Sequence, residues 1–419
     1  MRPLLPLLLV FPVVDAGATC LLATHALKCD GRSDDTQALQ AALASCAADS
    51  EGPGPVPLPV GRTCVSFPVT IPSHGGLLLP HGTVLKAGRS ILWPNTSISV
   101  ARPFITSVPG AVNLSLTGVG TIDGSGAQWW TGNNKTPRRP LLIELDAAGV
   151  LLEGLLLLNP AAWTTSLAGS SYRIIGIKIR SPDYAHAPNT DGLDISARGV
   201  HISGADIQNG DDSICMKSPA QDVLVENSVV RQGNGLVVGT SSNADFRNIT
   251  FRNITAIGTA FGCHIKFKDE QTGSVSGVVF EDIVIQRPQR YAIGIDQNGQ
   301  GEHPQRQLGT EEIDTSSAEA CPHMRALSPL MPQVAMRANV SVNNVTFRNI
   351  TATVAAGQMG GCFVCNPGWL SCHNIVFDKV HLAVEGSGVG AQCSFRNVYG
   401  EGVDVSPPSC DPPRSPAWL

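Results

Sequence analysis

Short apolar runs, repeated many times along the chain, constrain the fold most strongly. From about residue 100 they are bounded by Gly, Asn, Asp or Pro, as strands joined by turns are. A degenerate five-residue unit recurs among them, mostly every 20 to 35 residues or so. It begins at Phe246, Phe251, Phe280, Phe347, Phe377 and Phe395, and its fullest form is Phe-Arg-Asn-Ile-Thr. Because one such turn cannot bury its apolar face alone, the repeat predicts a stacked solenoid.

The pattern therefore favours an all-β fold, a right-handed single-stranded parallel β-helix. A β-sandwich is the alternative, but it needs hairpins, and the Asn-Gly hairpin turns typical of one are scarce. Residues 37–46 have helical spacing and follow Asp34, Asp35 and Thr36, so we expect an N-terminal helix capping the open end of the solenoid.

Composition divides the chain and limits its partners. Residues 1–18 read as a secretory signal peptide, with Arg2 before an apolar run that is too short to span a membrane. We assign residues 19–100 to the cap and first coils, 101–400 to the β-helix, 301–335 to an inserted loop and 401–419 to a C-terminal tail. The net charge of −5 gives no electrostatic case for binding nucleic acid or an anionic membrane.

Cysteines and sequons agree with secretion. An even count of 12 cysteines predicts disulfides, with Cys46–Cys64 and Cys393–Cys410 as the expected local pairs. The Cys362-Phe-Val-Cys365 spacing would also suit zinc, but no second ligand pair accompanies it. Some of the Asn-x-Ser/Thr sequons are expected to carry glycans. They begin at Asn95, Asn113, Asn134, Asn248, Asn253, Asn339, Asn344 and Asn349.

Three aspartates are the candidate catalytic residues. Asp191 stands in Asn189-Thr-Asp-Gly, and Asp211 and Asp212 stand in Asn209-Gly-Asp-Asp-Ser, about 20 residues later. One turn of a solenoid returns the chain to within roughly 4.8 Å of its start, so we expect the three carboxylates to share one patch. Gathering like charges has little structural benefit but suits hydrolysis of a glycosidic bond, which needs a general acid and an activated water. An Asp-rich turn is the alternative for Gly-Asp-Asp alone.

Further polar residues follow on later coils. Asn234 comes about one coil after the acid pair, and His264 and Lys266 are expected to share the outer face, with Ile265 inward. A lysine beside an acidic cleft could bind a substrate carboxylate, although it could equally be a solvated surface residue. Strict alternation places Asp194 opposite Asp191, which excludes Asp194 from the predicted site.

These motifs resemble glycoside hydrolase family 28, the polygalacturonases and rhamnogalacturonases that degrade pectin. The resemblance spans most of the mature chain and includes Asp30-Gly31, Gly120–Gly126 and Trp129-Trp130 besides the two aspartate motifs. It implies a parallel β-helix and inverting hydrolysis of α-glycosidic bonds. By the same resemblance Asp211 is the general acid, Asp191 and Asp212 hold and activate water, and Asn189 shapes the site.

The chain departs from the family at two other motifs. Gly-Asn234-Gly stands where the family commonly has Gly-His-Gly, and His264-Ile-Lys266 stands where it has Arg-Ile-Lys. The family's tyrosine after Ile-Asp-Gln is replaced by Gly299. The substrate-binding candidates are thus Asn189, Asn234, His264 and Lys266.

The departures leave several functions open. The intact trio of aspartates favours catalysis, and we expect a secreted, monomeric pectin hydrolase acting on an acidic plant or algal cell-wall polysaccharide, without metal or cofactor. A rhamnogalacturonan or modified-galacturonan hydrolase and a catalytically weakened pectin-binding homologue remain alternatives. A calcium-dependent pectate lyase would share the solenoid, but the aspartate motifs argue against it.

Overall fold

A computed structural model describes residues 26–47, 54–97, 100–130, 139–239, 242–268, 270–297, 338–368 and 372–415. The predicted signal peptide and the predicted insertion at 301–335 lie outside these ranges, as does Gly299. No helix among the described residues has the length and apolar character needed to cross a membrane.

The N-terminal part contains one α-helix and nine short strands. They are β1 (Asp30–Asp34), α1 (Thr36–Ala47), β2 (Val56–Pro57), β3 (Thr63–Ser66), β4 (Val69–Ile71), β5 (Gly76–Leu79), β6 (Val84–Ala87), β7 (Asn95–Ser97), β8 (Val100–Ala101) and β9 (Ile105–Ser107). Among the described residues, complete 3₁₀ turns are found at Ser90–Leu92, Gly126–Gln128 and Pro408–Cys410.

The remaining strands form the body of the solenoid. They are β10 (Ala111–Gly118), β11 (Thr121–Asp123), β12 (Ile143–Glu153), β13 (Leu156–Leu158), β14 (Thr165–Ile175), β15 (Lys178–Arg180), β16 (Leu193–Ser203), β17 (Asp206–Asn209), β18 (Ile214–Met216), β19 (Ala220–Gln232), β20 (Leu236–Gly239), β21 (Asn243–Ile257), β22 (Phe261–Lys266), β23 (Thr272–Gln286), β24 (Tyr291–Asp296), β25 (Asn339–Val354), β26 (Met359–Val364), β27 (Cys372–Val384), β28 (Cys393–Arg396) and β29 (Val398–Ser406).

The strands stack in parallel, one coil on the next. All but β7 and β8 belong to one sheet of 27 strands that closes around a continuous apolar core. Leu193 of β16 pairs with Ile214 of β18, and Ile214 pairs with Leu236 of β20. Each of these steps is one coil of about 20 residues. The predicted right-handed parallel β-helix is confirmed.

The phenylalanine units form the core of the C-terminal coils. Phe251 stacks on Phe280 with ring centroids 5.0 Å apart, and Phe280 lies 5.2 Å from Phe347. The asparagine of each full unit takes a positive φ of 49 to 52°, as Asn253 does, and bends its long strand between two faces. Asparagine is one of the few residues that tolerates this conformation, which explains its place in the repeat.

Helix α1 closes the N-terminal end of the core, as predicted. It buries Leu39, Ala42, Leu43 and Cys46. The Gln40 side chain donates to the carbonyl of Thr70 at 2.8 Å and accepts from its N–H at 2.9 Å, which satisfies backbone groups of β4. At the other end, β29 continues to Ser406, so that the final coil runs past the boundary at 400 expected from sequence.

The disulfides correct one of the two predicted pairs. Cys393–Cys410 is present as predicted. Cys64, however, bonds Cys29 rather than Cys46, because β1 and β3 are adjacent parallel strands. Cys365 bonds Cys372, and Cys362 is also disulfide-bonded, which removes both residues of the CxxC sequence as zinc ligands.

Candidate functional site

The three predicted aspartates meet where the chain turns into successive coils. Asp191 lies just before β16, and Asp211 and Asp212 lie between β17 and β18. One carboxylate oxygen from each of the three lies within 4.8 Å of the others, and all three residues are buried. Because Asp211 and Asp212 are in a turn rather than a pleated strand, both can face the same side.

A buried amide shapes this turn. Nδ2 of Asn209 donates to the carbonyls of Thr190, Asp211 and Asp212, each at 2.9 Å, and its Oδ1 accepts from Ser213. Asn209 therefore fixes the backbone of both acidic segments at once. Asn209 is the first residue of the Asn-Gly-Asp-Asp motif, but the sequence alone did not predict a role for it.

Close packing around the turn also requires glycine at position 233. A Cβ added there would lie 2.2 Å from the carbonyl oxygen of Asp211 and 2.5 Å from Oδ1 of Asn209. The next residue, Asn234, is thereby brought against the acid pair.

Asn234 bridges the two adjacent carboxylates. Its Nδ2 donates to Oδ1 of Asp211 at 3.0 Å and to Oδ1 of Asp212 at 2.9 Å. From the preceding coil, Nδ2 of the exposed Asn189 lies 3.4 Å from Oδ2 of Asp211. The structure thus places two predicted site residues, Asn189 and Asn234, on opposite sides of Asp211, with Asn234 buried against the acids.

Two lysines face the same carboxylates. Nζ of Lys266 donates to Oδ1 of Asp212 at 2.7 Å. Nζ of Lys217 lies 3.9 Å from Oδ2 of Asp212 and 3.9 Å from Oδ1 of Asp194. Asp212 is therefore the most strongly compensated acid of the group. Lys217 is a part of the site that the sequence analysis missed.

The surroundings of the acids shift their pKa values in opposite directions. Burial raises the pKa of Asp191 well above its usual value, and the charges of Asp211 and Asp194 add to the effect. Burial acts in the same direction on Asp212, but Lys266 and Lys217 outweigh it and hold the pKa of Asp212 well below its usual range. Carboxyls with opposite pKa shifts in one cleft are the arrangement that acid–base catalysis needs.

Asp194 is a fourth acid in this group, contrary to the sequence-based exclusion. Its side chain is 2% exposed, and neither carboxylate oxygen has a hydrogen-bond partner. Burial first, and then nearby Asp212 and Asp211, raise its pKa to about 7 against the opposing charge of Lys217. The exclusion counted alternation from Asp191, but Asp191 precedes β16 and does not follow its pleat.

His264 differs from its predicted position at the surface. It does lie outside the main core while Ile265 points into that core, but it is 0% exposed. The ring of Phe261 packs against it at a tilt, with ring centroids 4.2 Å apart, and Nε2 of His264 lies 3.0 Å from the hydroxyl of Tyr291. Burial and the charge of Lys266 lower the pKa of His264 well below 6.5. A substrate contact is therefore not assigned to His264, because Phe261 and Tyr291 cover it.

Arg139 ties together the two loops that flank the site. Its Nη1 donates to the carbonyls of Ala161 at 3.0 Å and Pro188 at 2.7 Å, and its Nη2 donates to Oδ1 of Asn189 at 3.2 Å. Sequence reasoning missed Arg139, and its separation of 50 residues from Asn189 gives no local signal.

Two groups in the described residues have donor spacing that a metal could use. Cys29, Asp35 and Cys64 form one, but the two cysteines are bonded to each other. Asp191, Asp211 and Asp212 form the other. There the ammonium of Lys266 and the amide of Asn234 already donate to the oxygens, and a nearby ammonium opposes a cation. The donor set therefore suits acid–base chemistry better than metal binding.

A comparison with known families decides the classification. The family model described as Glycosyl hydrolases family 28 matches residues 97–317, which include all the acids of the site. The chain belongs to glycosyl hydrolase family 28. As a member, it is a glycosidase in class, and the predicted family resemblance is confirmed.

Individual relatives are distant. The polygalacturonase of Cryptomeria japonica is 26% identical over 391 residues, which cover 88% of this chain and 68% of the relative. Endopolygalacturonase I of Aspergillus aculeatus is 31% identical over 206 residues, 46% of this chain and 54% of that protein. The chain spans 58% and 63% of two further polygalacturonases, from Chamaecyparis obtusa and Juniperus ashei.

Solved structures support the fold. A polygalacturonase from Erwinia carotovora gives a TM-score of 0.65 at 20% identity, covering 88% of this chain and 94% of that one. An endo-xylogalacturonan hydrolase from Aspergillus tubingensis gives 0.64 at 19% identity, covering 95% and 98%. At these identities the similarity concerns the β-helix, and the chemistry has to be argued from the site itself.

Proposed function

We propose that this protein hydrolyses α-glycosidic bonds in pectin-type acidic polysaccharides, by inversion at the anomeric carbon. The observation that carries the proposal is the grouping of Asp191, Asp211 and Asp212 within one hydrogen-bonded patch that also imposes different pKa values on its acids. Glycoside hydrolysis requires a proton donor and a base in one site, and this patch offers both.

The proposed roles follow from the partners of each acid. Asp211, flanked by the amides of Asn189 and Asn234, donates its proton to the glycosidic oxygen as the bond to the anomeric carbon breaks. Water attacks that carbon and gives its proton to Asp191, which is ionised at this step; a higher pKa makes an ionised carboxylate the stronger proton acceptor. Asp212, kept ionised by Lys266, orients the water. Returning the proton from Asp191 through solvent to Asp211 completes the cycle.

Stereochemistry is a separate part of this proposal. Two carboxyls about 5–5.5 Å apart usually indicate retention, and wider pairs leave room for the inverting water. The oxygens here lie within 4.8 Å, which by that rule favours retention. We nevertheless assign inversion. Lys266 and Asn234 both donate to Oδ1 of Asp212, which weakens it as a nucleophile, and the third acid gives water a second anchor.

The positive groups of the site support an acidic substrate. Lys266 lies at the carboxylate patch and, besides its bond to Asp212, has ammonium hydrogens that can meet a uronate carboxylate. Unlike an arginine, Lys266 cannot donate two parallel hydrogen bonds to that carboxylate. We therefore propose a polymer of galacturonate type. Rhamnogalacturonan or a modified galacturonan is the second choice, favoured by the burial of His264 where the family has arginine.

A weakened pectin-binding protein is the second candidate function. Asn234 favours it, because an amide cannot exchange a proton with the acid as the family's histidine could. The intact trio of aspartates supports catalysis instead. Secretion is part of the proposal and is supported by the apolar N-terminal run and the disulfides, among them Cys29–Cys64. A monomeric state is proposed with it.

A substrate panel tests the function. The full-length protein is assayed for new reducing ends on homogalacturonan, rhamnogalacturonan and xylogalacturonan, and the first anomer released is identified by proton NMR. We expect hydrolysis of at least one polymer and a loss of about 10²-fold or more in Asp211→Asn. The matched control is Asp282→Asn, an isosteric change at an exposed aspartate of β23.

The outcomes separate the candidates. Equal rates in wild type and Asp211→Asn would remove Asp211 from its role. Binding of a polymer without release of reducing ends would establish the binding protein instead. Retention at the anomeric carbon would leave hydrolysis intact but refute the assigned roles of water and Asp212.

A further inference from the structure

A loop one coil before Asp191 presents an aromatic ring beside the acids. β13 ends at Leu158 and β14 begins at Thr165, and Trp163 lies in the connection. The N–H of Thr164 donates to the carbonyl of Asp191 at 2.7 Å, so the loop and the acidic segment are direct neighbours in the stack. Trp163 therefore lies about one strand spacing, roughly 4.8 Å, toward the N-terminal end from Asp191.

Two hydrogen bonds and close packing at Gly126 anchor this loop. Arg139 holds the carbonyl of Ala161, and Nε1 of Trp130 donates to the carbonyl of Pro160 at 3.2 Å. Beneath them, a Cβ at Gly126 would lie 2.4 Å from the ring of Trp130 and 2.5 Å from the oxygen of Pro160. The loop thus rests on a packed base, and the ring it carries is positioned rather than free to sample many places.

Trp163 keeps a substantial part of its ring open to solvent. It is 38% exposed, and it is the one aromatic residue among the exposed large hydrophobic side chains of the described ranges. Nζ of Lys217 lies 5.4 Å from its ring centroid, and the same ammonium approaches Asp194 and Asp212. An exposed ring with a cation at its side, next to a catalytic patch, requires an explanation beyond core packing.

Carbohydrate binding provides that explanation. The C–H face of a pyranose ring is apolar and packs on an aromatic face, while the sugar's polar rim needs charged or hydrogen-bonding partners. Lys217 supplies a positive charge at the rim, which suits a uronate better than a neutral sugar.

We propose that Trp163 and Lys217 form a substrate subsite that holds one uronate residue of the polymer. This subsite lies beside the cleaved bond, on the side toward the N-terminal coils of the solenoid. The inference rests on the proposed function, because the same polysaccharide must reach both the ring and the acids. A hexose ring is about as wide as the strand spacing, so the sugar on Trp163 lies next to the two sugars that flank the cleaved bond. An oligomer that spans the cleaved bond therefore needs at least three residues to reach the ring.

Binding without turnover tests the subsite. In the full-length Asp211→Asn protein, dissociation constants are measured by calorimetry for galacturonate oligomers of two to six residues. Trp163→Ala should weaken binding of the longer oligomers by about tenfold and leave the shortest unchanged, since only longer oligomers reach the ring. Trp163→Phe should recover most of that loss. Ile91→Ala, which removes another exposed apolar side chain, should change affinity by less than about twofold.

The results distinguish the subsite from the function. An unchanged length dependence in Trp163→Ala, with hydrolysis by the wild-type protein, overturns the subsite and keeps the hydrolase. A length-dependent loss in a protein that cleaves no pectin keeps the subsite and overturns the hydrolase. A loss shared by Trp163→Ala and Trp163→Phe at every oligomer length, accompanied by a lower Tm, shows a structural role for the loop and also overturns the subsite.

Discussion

The acidic patch and the phenylalanine repeat occupy neighbouring coils of one solenoid, yet they treat polar groups in opposite ways. In the repeat, the polar side chains are exposed and pair with each other along the outside, as Arg348 does with Glu281 and Asp378. At the patch, Asp191 and Asp194 are buried, and burial raises the pKa of each. The regular coils thus carry stability, and the irregular turns carry chemistry at some cost in stability.

The largest effect expected in this comparison is on the stability of the repeat. Phe280→Ala removes the middle ring of the stack between Phe251 and Phe347 and should lower the free energy of unfolding by about 3–5 kcal/mol. Urea unfolding at constant pH measures it. Val284→Ala, at a 40% exposed position of the same strand, is the matched control and should cost far less. Equal losses in the two variants would show that the ring stack is not the main source of stability there.

A smaller effect is expected at Asn234, and it should appear in activity. Asn234→Ala removes the donor shared by Asp211 and Asp212, and kcat should fall about tenfold. Because this hydrogen bond lowers the pKa of Asp212, its loss raises that pKa. The pH at which the Asp212 carboxylate protonates, followed by infrared spectroscopy, should therefore rise.

A surface asparagine of the repeat provides the control for that experiment. Asn343 accepts a hydrogen bond from Asn374 on the next coil, and Asn343→Ala should change neither kcat nor the pH at which Asp212 protonates. A tenfold loss of kcat in Asn234→Ala with unchanged protonation of the Asp212 carboxylate would separate Asn234 from the ionisation of Asp212 and leave it only a packing role.

The smallest effect concerns Asp194 and depends on pH. Its folded-state pKa of about 7 lies above the ordinary 3.8, so its contribution to stability is present below about pH 4 and is lost as pH rises through 7. The free energy of unfolding of Asp194→Asn, taken relative to that of the wild type, should therefore be higher at pH 8 than at pH 5 by at least about 1 kcal/mol. Urea unfolding at both pH values measures the gain, with Val284→Ala as the uncharged reference. A difference independent of pH would contradict the burial of a titrating acid.

The sequence predicted the fold well, because repetition makes the solenoid visible. Local sequence patterns predicted both the coils and the helix. The coils follow from the spacing of Phe280 and its counterparts, and the helix follows from the apolar pattern of residues 37–46. The meeting of Asp191 with Asp211 and Asp212 was predictable for the same reason, since it needs only the length of one coil.

What the sequence did not reveal depends on turns and on contacts between distant residues. Strand alternation fails for Asp194, because the count began in a turn. It gives the correct face for His264 but does not show that Phe261 and Tyr291 cover that face. Arg139 and Lys217 reach the site from other coils, and no spacing rule links them to it.

The bends of the long strands bear on how the surface could be modified. In each full Phe-Arg-Asn-Ile-Thr unit the asparagine lies where the long strand bends, and the threonine lies two residues further along the same strand. The unit therefore contains an Asn-x-Thr sequon. Nδ2 of Asn253 already donates to Oδ1 of Asn227 at 2.7 Å, and that of Asn349 donates to Asp282. An attached sugar would leave such an amide a single N–H. In this part of the chain an Asn-x-Thr sequence can therefore serve the bend of the strand, and its presence alone does not indicate an attached glycan.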